Sequence, residues 1–173
     1  LKKSFSLLEL VLVIVLVGII YSVFLPKIKM MSLKKTDIAL MNLKSYLLKQ
    51  KFKNELAFKC VENSLDCFIY IDGKLKPDLT IKHFFEREPI VYKYDKNMDR
   101  ISYGYLKFDT FEEFKIVFQL VFNQNNRHKD VVVQTDKEIL LFNSIHEKPK
   151  EFDYLNDVVS YLDSLETEVK NAF

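Results

Sequence analysis

A long apolar run from Phe5 to Leu25, preceded by Lys2-Lys3-Ser4 and closed by Pro26, constrains this chain more than any other stretch. At about 1.5 Å per residue it extends roughly 31 Å as a helix, close to the ~30 Å thickness of a bilayer's hydrocarbon. The run therefore predicts a transmembrane helix over 5–26. One acid, Glu9, sits near its start. An ionised Asp, Lys or Arg at mid-membrane costs about 2.5–3.5 kcal/mol, and less near an end. The run offers no cation to pair with Glu9, so the carboxylate points to a partner on another molecule. The exit Tyr21-Ser22-Val23-Phe24-Leu25-Pro26 lacks the small-residue pattern of a signal-peptide cleavage site, which argues against removal after the run.

The pattern predicts that the helix continues past Pro26 as a stalk over 27–54. Leu33, Leu40 and Leu47 recur every seven residues, with Leu43 on the same side. Proline inside a helix removes a donor and clashes with the carbonyl of Ser22, so a kink is expected there. Lys27, Lys29, Lys34, Lys35, Lys44, Lys49, Lys51 and Lys53 fill the remaining faces. They read as a solvated face that also meets acidic surfaces of neighbours.

Residues 55–173 read as one globular head. Fifteen Phe and nine Tyr against three Gly imply a dense aromatic core with turns made by Asn, Asp and Lys. Cys67–Ile71 ends at Asp72-Gly73, a hairpin signal. Ile90–Tyr94 and Ile101–Phe108 flank a polar 95–100 loop and read as a second hairpin. Phe114–Phe122 reads as a strand, and Val131-Val132-Val133 and Ile139–Phe142 flank the tight connection Thr135–Glu138. A short helix fits between Thr80 and Glu86. After Pro149, the positions Leu155, Val158, Val159, Leu162, Leu165 and Val169 mark an amphipathic and acidic C-terminal helix. The expected fold class is α+β: a long N-terminal helix packed on an antiparallel β-sheet head, with a C-terminal amphipathic helix.

Cys60 and Cys67 are the only cysteines. In an oxidising compartment they would close a small loop, adding about 2–3 kcal/mol by chain entropy; in a reducing one they would stay thiols. His83, His128 and His146 show no metal-site spacing, and no cofactor is implied. The sequence contains no G-x-x-x-x-G-K-[ST] loop, no G-x-S-x-G elbow and no H-E-x-x-H. The acid pairs Glu112-Glu113 and Glu86/Glu88 read as exposed surface. A structural protein is expected rather than an enzyme.

The segment Phe5-Ser6-Leu7-Leu8-Glu9-Leu10, with the apolar residues that follow it to Ile20, resembles the N-terminal signature of type IV pilins and type II secretion pseudopilins. Phe5, Glu9, Gly18 and Pro26 fall at that family's spacing. The resemblance implies a leader over 1–4, cut between Ser4 and Phe5 by a prepilin peptidase that also N-methylates Phe5. Ser4 stands where the family usually has Gly. It further implies that Glu9 pairs with the Phe5 amine of a neighbouring subunit, and that Gly18 and Pro26 shape the helix for assembly into a pilus or pseudopilus. Implied partners are other pilin subunits, the peptidase, membrane lipid, and an inner-membrane assembly platform with its ATPase. The implied location is the bacterial inner membrane, single-pass, with the head in the periplasm or cell exterior. The lysine count on either side of the run would favour the opposite orientation. Two alternatives stand beside this reading. One is a DNA-uptake (competence) pseudopilin, the only case that brings in nucleic acid; the other is an uncleaved single-pass anchor holding an extracytoplasmic binding domain.

Overall fold

The computed structural model describes residues 11–17, 38–108 and 112–171. The chain divides into two compact units, Leu1–Lys34 and Lys35–Phe173. In the first, the described stretch 11–17 is helical.

The described residues of the second unit hold nine strands: β1 (Glu55–Val61), β2 (Cys67–Ile71), β3 (Lys74–Leu75), β4 (Ile90–Lys93), β5 (Tyr105–Lys107), β6 (Glu113–Asn123), β7 (Val131–Gln134), β8 (Ile139–Phe142) and β9 (Lys150–Phe152). They form two antiparallel sheets, one ordered β3-β2-β1-β6-β5 and the other β4-β7-β8-β9. A 3-10 turn, Leu40–Asn42, leads into the short helix α1 (Leu43–Leu48), and a long helix, α2 (Leu155–Asn171), follows β9.

Alternation along the strands decides what faces what. Leu56, Phe58 and Cys60 of β1 join Phe118, Leu120 and Phe122 of β6, and from the second sheet Val131, Val133, Leu140 and Phe142, in one core between the sheets. The intervening side chains of the second sheet, Tyr92, Val132, Ile139 and Leu141, pack on its other face with Val158 of α2. Both faces of that sheet are therefore covered. This explains why β7 and β8 read as continuous apolar runs rather than alternating ones.

On β6, the register against β1 shifts between Cys60 and Val61. Val117 and Phe118 consequently both enter the core between the sheets, while Ile116 joins Val61 and Leu106 in a cluster on the opposite face. An extra residue in one strand has this effect, re-aiming the side chains beyond it.

Local chemistry sets the turns. Asp72 and Gly73, at φ 51° and 77°, make the two-residue turn between β2 and β3, where both positions need a left-handed backbone. The Asp72 carboxylate also accepts the backbone N–H groups of Lys53, Asn54 and Glu55 at 3.2, 2.7 and 3.2 Å. Those hydrogen bonds hold its carboxyl below the usual carboxylate range. At the start of α2, the Asp157 carboxylate accepts the Tyr154 N–H at 3.2 Å, as an acid in the first helical turn does. Further along α2, Lys96 of the loop after β4 bridges Asp163 and Glu166 at 3.1 and 2.8 Å, so part of the helix's acidic face pairs within the head.

The expected fold class needs correction. Among the described residues the fold is mostly β, and the one long helix is the C-terminal α2, which is amphipathic rather than apolar. The expected stalk over 27–54 is not continuous where it is described. The 3-10 turn and α1 occupy Leu40–Leu48, and the chain then bends into β1 at Glu55. The heptad leucines Leu40 and Leu47, with Leu43, are buried in the core of the head. Their stripe covers only the stretch to Leu48, and the Asp72 carboxylate then holds the backbone of residues 53–55 where it enters β1.

Other differences are local. Ile90–Tyr94 and Ile101–Phe108 do not make a hairpin. After a single bridge between Tyr92 and Arg100 the chain leaves β4, which pairs with β7, and enters β5, which pairs with β6 in the other sheet. The residues after Pro149 first form β9 against β8, with Phe152 packed on Tyr161, and the helix starts only at Leu155. Residues 80–86 hold no helix; a 3-10 turn lies just before them at Pro77–Leu79.

Candidate assembly site

Ser4, Phe5, Glu9, Gly18 and Pro26 lie outside the described residues. What is described of the N-terminal run is Val11-Leu12-Val13-Ile14-Val15-Leu16-Val17, and each of these side chains is exposed, from 43% at Val17 to 62% at Ile14. A helix apolar on every face has no polar side to give to water. Contiguous exposed apolar surface is shared by interaction sites, membrane contacts and aggregation-prone segments.

In the head, β1 and β2 are cross-linked at one end. Cys60 and Cys67 are joined by a disulfide and are direct cross-strand partners of β1 and β2. Both are fully buried. The loop they close is also tied by backbone bonds, from the Val61 N–H to the Asp66 oxygen at 3.1 Å and from the Ser64 N–H to the Glu62 oxygen at 2.8 Å. Disulfides of this kind persist in oxidising compartments.

The acid pairs are split among different lysines. Glu86 accepts from Lys137 at 2.6 Å, Glu88 lies 3.6 Å from Lys115, and Glu113 is 2.5 Å from Lys107. The Lys137 ammonium holds the Glu86 carboxyl below its ordinary range. Carboxylates separated in this way form ion pairs rather than a general acid and base.

Two polar groups escaped the sequence reading. Lys44, placed among the solvated lysines of the stalk, is only 3% exposed. Its ammonium donates to the backbone oxygens of Asn143, Ser144 and His146 at 2.8, 3.1 and 2.6 Å, pinning α1 to the β8–β9 connection. Burial pushes its pKa down, opposed by the charges of Asp130 and Glu147. The one signal in the sequence is its place next to Leu43 and three residues before Leu47, at the edge of the apolar stripe.

His128, in the turn between β6 and β7, is the second. Its ring lies edge-on to Phe122, with centroids 5.1 Å apart, and Nδ1 is 2.7 Å from the Lys129 oxygen. Nε2 is buried with no partner among the described residues. Burial lowers its pKa, and the Lys44 charge adds to that, against the Lys129 carbonyl and Asp130. The native state therefore holds His128 neutral, while the unfolded chain takes up the proton near 6.5. Stability should fall as pH drops below 6.5. In urea melts at two pH values spanning this point, His128→Leu should lose less on acidification than the natural chain. Equal losses would show that His128 does not drive the pH dependence.

No family model, curated protein or solved structure matches this chain. Among the described residues no helix is long and apolar enough to cross a membrane. This corrects the expected single-pass inner-membrane location and the transmembrane helix it rested on.

Proposed function

We propose that this chain is a structural subunit of a pilin-like filament, processed between Ser4 and Phe5 and assembled through its N-terminal apolar segment. The exposed Val11–Val17 stretch carries the reading: seven consecutive apolar side chains, all open to solvent in the single chain, sit inside the segment that bears the pilin signature. Packing such segments from several copies together removes their apolar surface from water. That packing places each Glu9 in apolar surroundings, where a carboxylate requires a cation. Cleavage before Phe5 supplies one, because the new amine is positively charged. N-methylation of Phe5 keeps that charge. The disulfide-closed head suits a subunit that works in an oxidising setting. Its proposed partners are further copies, a prepilin-type peptidase, and an assembly platform whose ATPase supplies the energy.

The mass of the N-terminal peptide after co-expression with a prepilin peptidase tests the processing step. The expected product begins at N-methylated Phe5; an unchanged N-terminus would sink this reading. For assembly, Glu9→Ala should be processed normally yet reduce filament yield about tenfold or more, if the lost charge pair is worth 1.4 kcal/mol or more per contact. Normal filaments from that variant would remove the pairing mechanism.

A further inference from the structure

His128 is only 7% exposed, although the turn residues before it, 123–127, all face solvent. Its ring meets Phe122 of β6 and Phe142 of β8 edge-on, with centroids 5.1 and 6.5 Å away. Both phenylalanine rings are fully buried. Nδ1 lies 2.7 Å from the Lys129 oxygen, and a carbonyl only accepts, so Nδ1 carries the hydrogen of the neutral ring. A second proton has one place left, Nε2. That atom is buried and has no hydrogen-bond partner among the described residues. A charged donor with nothing to receive its hydrogen is costly in such a place.

The neighbours decide what gives way. Lys44 of α1 and Asp130, which precedes β7, both grip the segment that follows Phe142. Lys44 holds the Asn143, Ser144 and His146 carbonyls, while Asp130 accepts the Ser144 N–H at 2.7 Å and the Asn143 side-chain amide at 3.0 Å. The Lys44 charge disfavours a proton on the His128 ring, and the Asp130 charge favours it. β8 brings no charged side chain here, and the loop after it carries His146, Glu147 and Lys148, all exposed. On the solvent side Glu55, Arg127 and Lys129 line a shallow hollow with His128. A cation on His128 is thus a second positive charge at a junction that already holds one. Lys44 lies on α1 among the buried Leu43 and Leu47 and is fixed by its three hydrogen bonds. His128 sits in an exposed turn and is the group free to leave.

We propose that the turn between β6 and β7 is an acid-released latch. Protonation of His128 drives residues 124–129 outward, which uncovers the Phe122 and Phe142 rings and loosens the grip of Asp130 on residues 143 and 144. Lys44 keeps α1 on the same loop, so the change is confined to one end of the head. The latch is independent of N-terminal processing, and an uncut chain carries it equally.

Hydrogen exchange of the full native chain at pH 7.5 and 5.5 tests this, with protection expressed against the unfolded rate at each pH. The reporters are the Arg127 amide, bonded to the Asn123 side chain at 3.1 Å, and the Ser144 amide, bonded to Asp130. Both are expected to be less protected than the amides at the centre of the β1–β6 ladder, because they open without unfolding the sheet. At pH 5.5, one unit below the ordinary histidine value of 6.5, both should lose about tenfold in protection. In His128→Leu that acid-dependent loss should vanish. Should the variant not fold, the onset in the natural chain still decides, since release by His128 begins near pH 6.5 and release by a carboxylate only below about 5. Protection at Arg127 and Ser144 that ignores pH, that matches the ladder at both pH values, that falls equally in His128→Leu, or that falls only below about pH 5 would each overturn the proposal.

Discussion

Phe118→Ala should cost the head about 3–5 kcal/mol, the range for emptying a buried aromatic site. The Phe118 ring is fully buried, with centroids 6.1 Å from Phe58, 5.5 Å from Phe85 and 6.2 Å from Phe142. Phe58 belongs to the first sheet and Phe142 to the second, so this ring is a direct contact between the layers. Removing it takes contacts from both sheets at once, and the disulfide on β1 limits how far that strand can shift to fill the space. Phe118→Leu keeps most of the volume and should cost clearly less. Urea denaturation of the two variants measures the difference. A loss under about 1 kcal/mol for the alanine variant would mean that the sheets do not meet through this ring.

Lys44→Ala should be nearly as damaging, at about 3 kcal/mol, because three backbone carbonyls lose a charged donor together. The ammonium has three hydrogens and the structure uses all of them, on Asn143, Ser144 and His146. Lys44→Met separates the two contributions of the side chain. It retains the packing of the stem but donates nothing. If the hydrogen bonds carry the effect, Met and Ala variants lose similar stability, and hydrogen exchange at Ser144 and Ile145 rises in both. A Met variant as stable as the natural chain would assign the role to the stem alone.

Much of the head could be read from its residues, and the parts that could not have physical causes. Asp72-Gly73 demanded a tight turn because that turn needs two left-handed residues, and both are there. Thr135–Glu138 joins β7 to β8, and the spacing from Leu155 onward is that of α2. Which sheet receives β4 and β5 was not legible. Both strands have suitable patterns, and the choice rests on long-range pairing with β7 and β6. The role of Lys44 was hidden for a similar reason, since its partners lie about a hundred positions away. The leucine period around Leu40–Leu47 was real, yet it described one face of a short helix. A period alone does not set length: this helix ends at Leu48, and the chain enters β1 at Glu55. For the candidate assembly site, the apolar character of Val11–Val17 was plain in the sequence.

The order in which the strands alternate between sheets has a consequence for biosynthesis. β1 to β3 enter one sheet, β4 the other, β5 and β6 return to the first, and β7 to β9 complete the second. As the chain leaves the ribosome, β1 and β6 can pair while their inward side chains, Leu56, Phe58, Phe118 and Phe122, still lack the covering strands β7 and β8. Until Phe142 has emerged from the ribosome, the nascent head exposes an aromatic face of the kind that folding helpers bind and that drives aggregation. Any pause after β6 has emerged and before β8 has done so lengthens that interval.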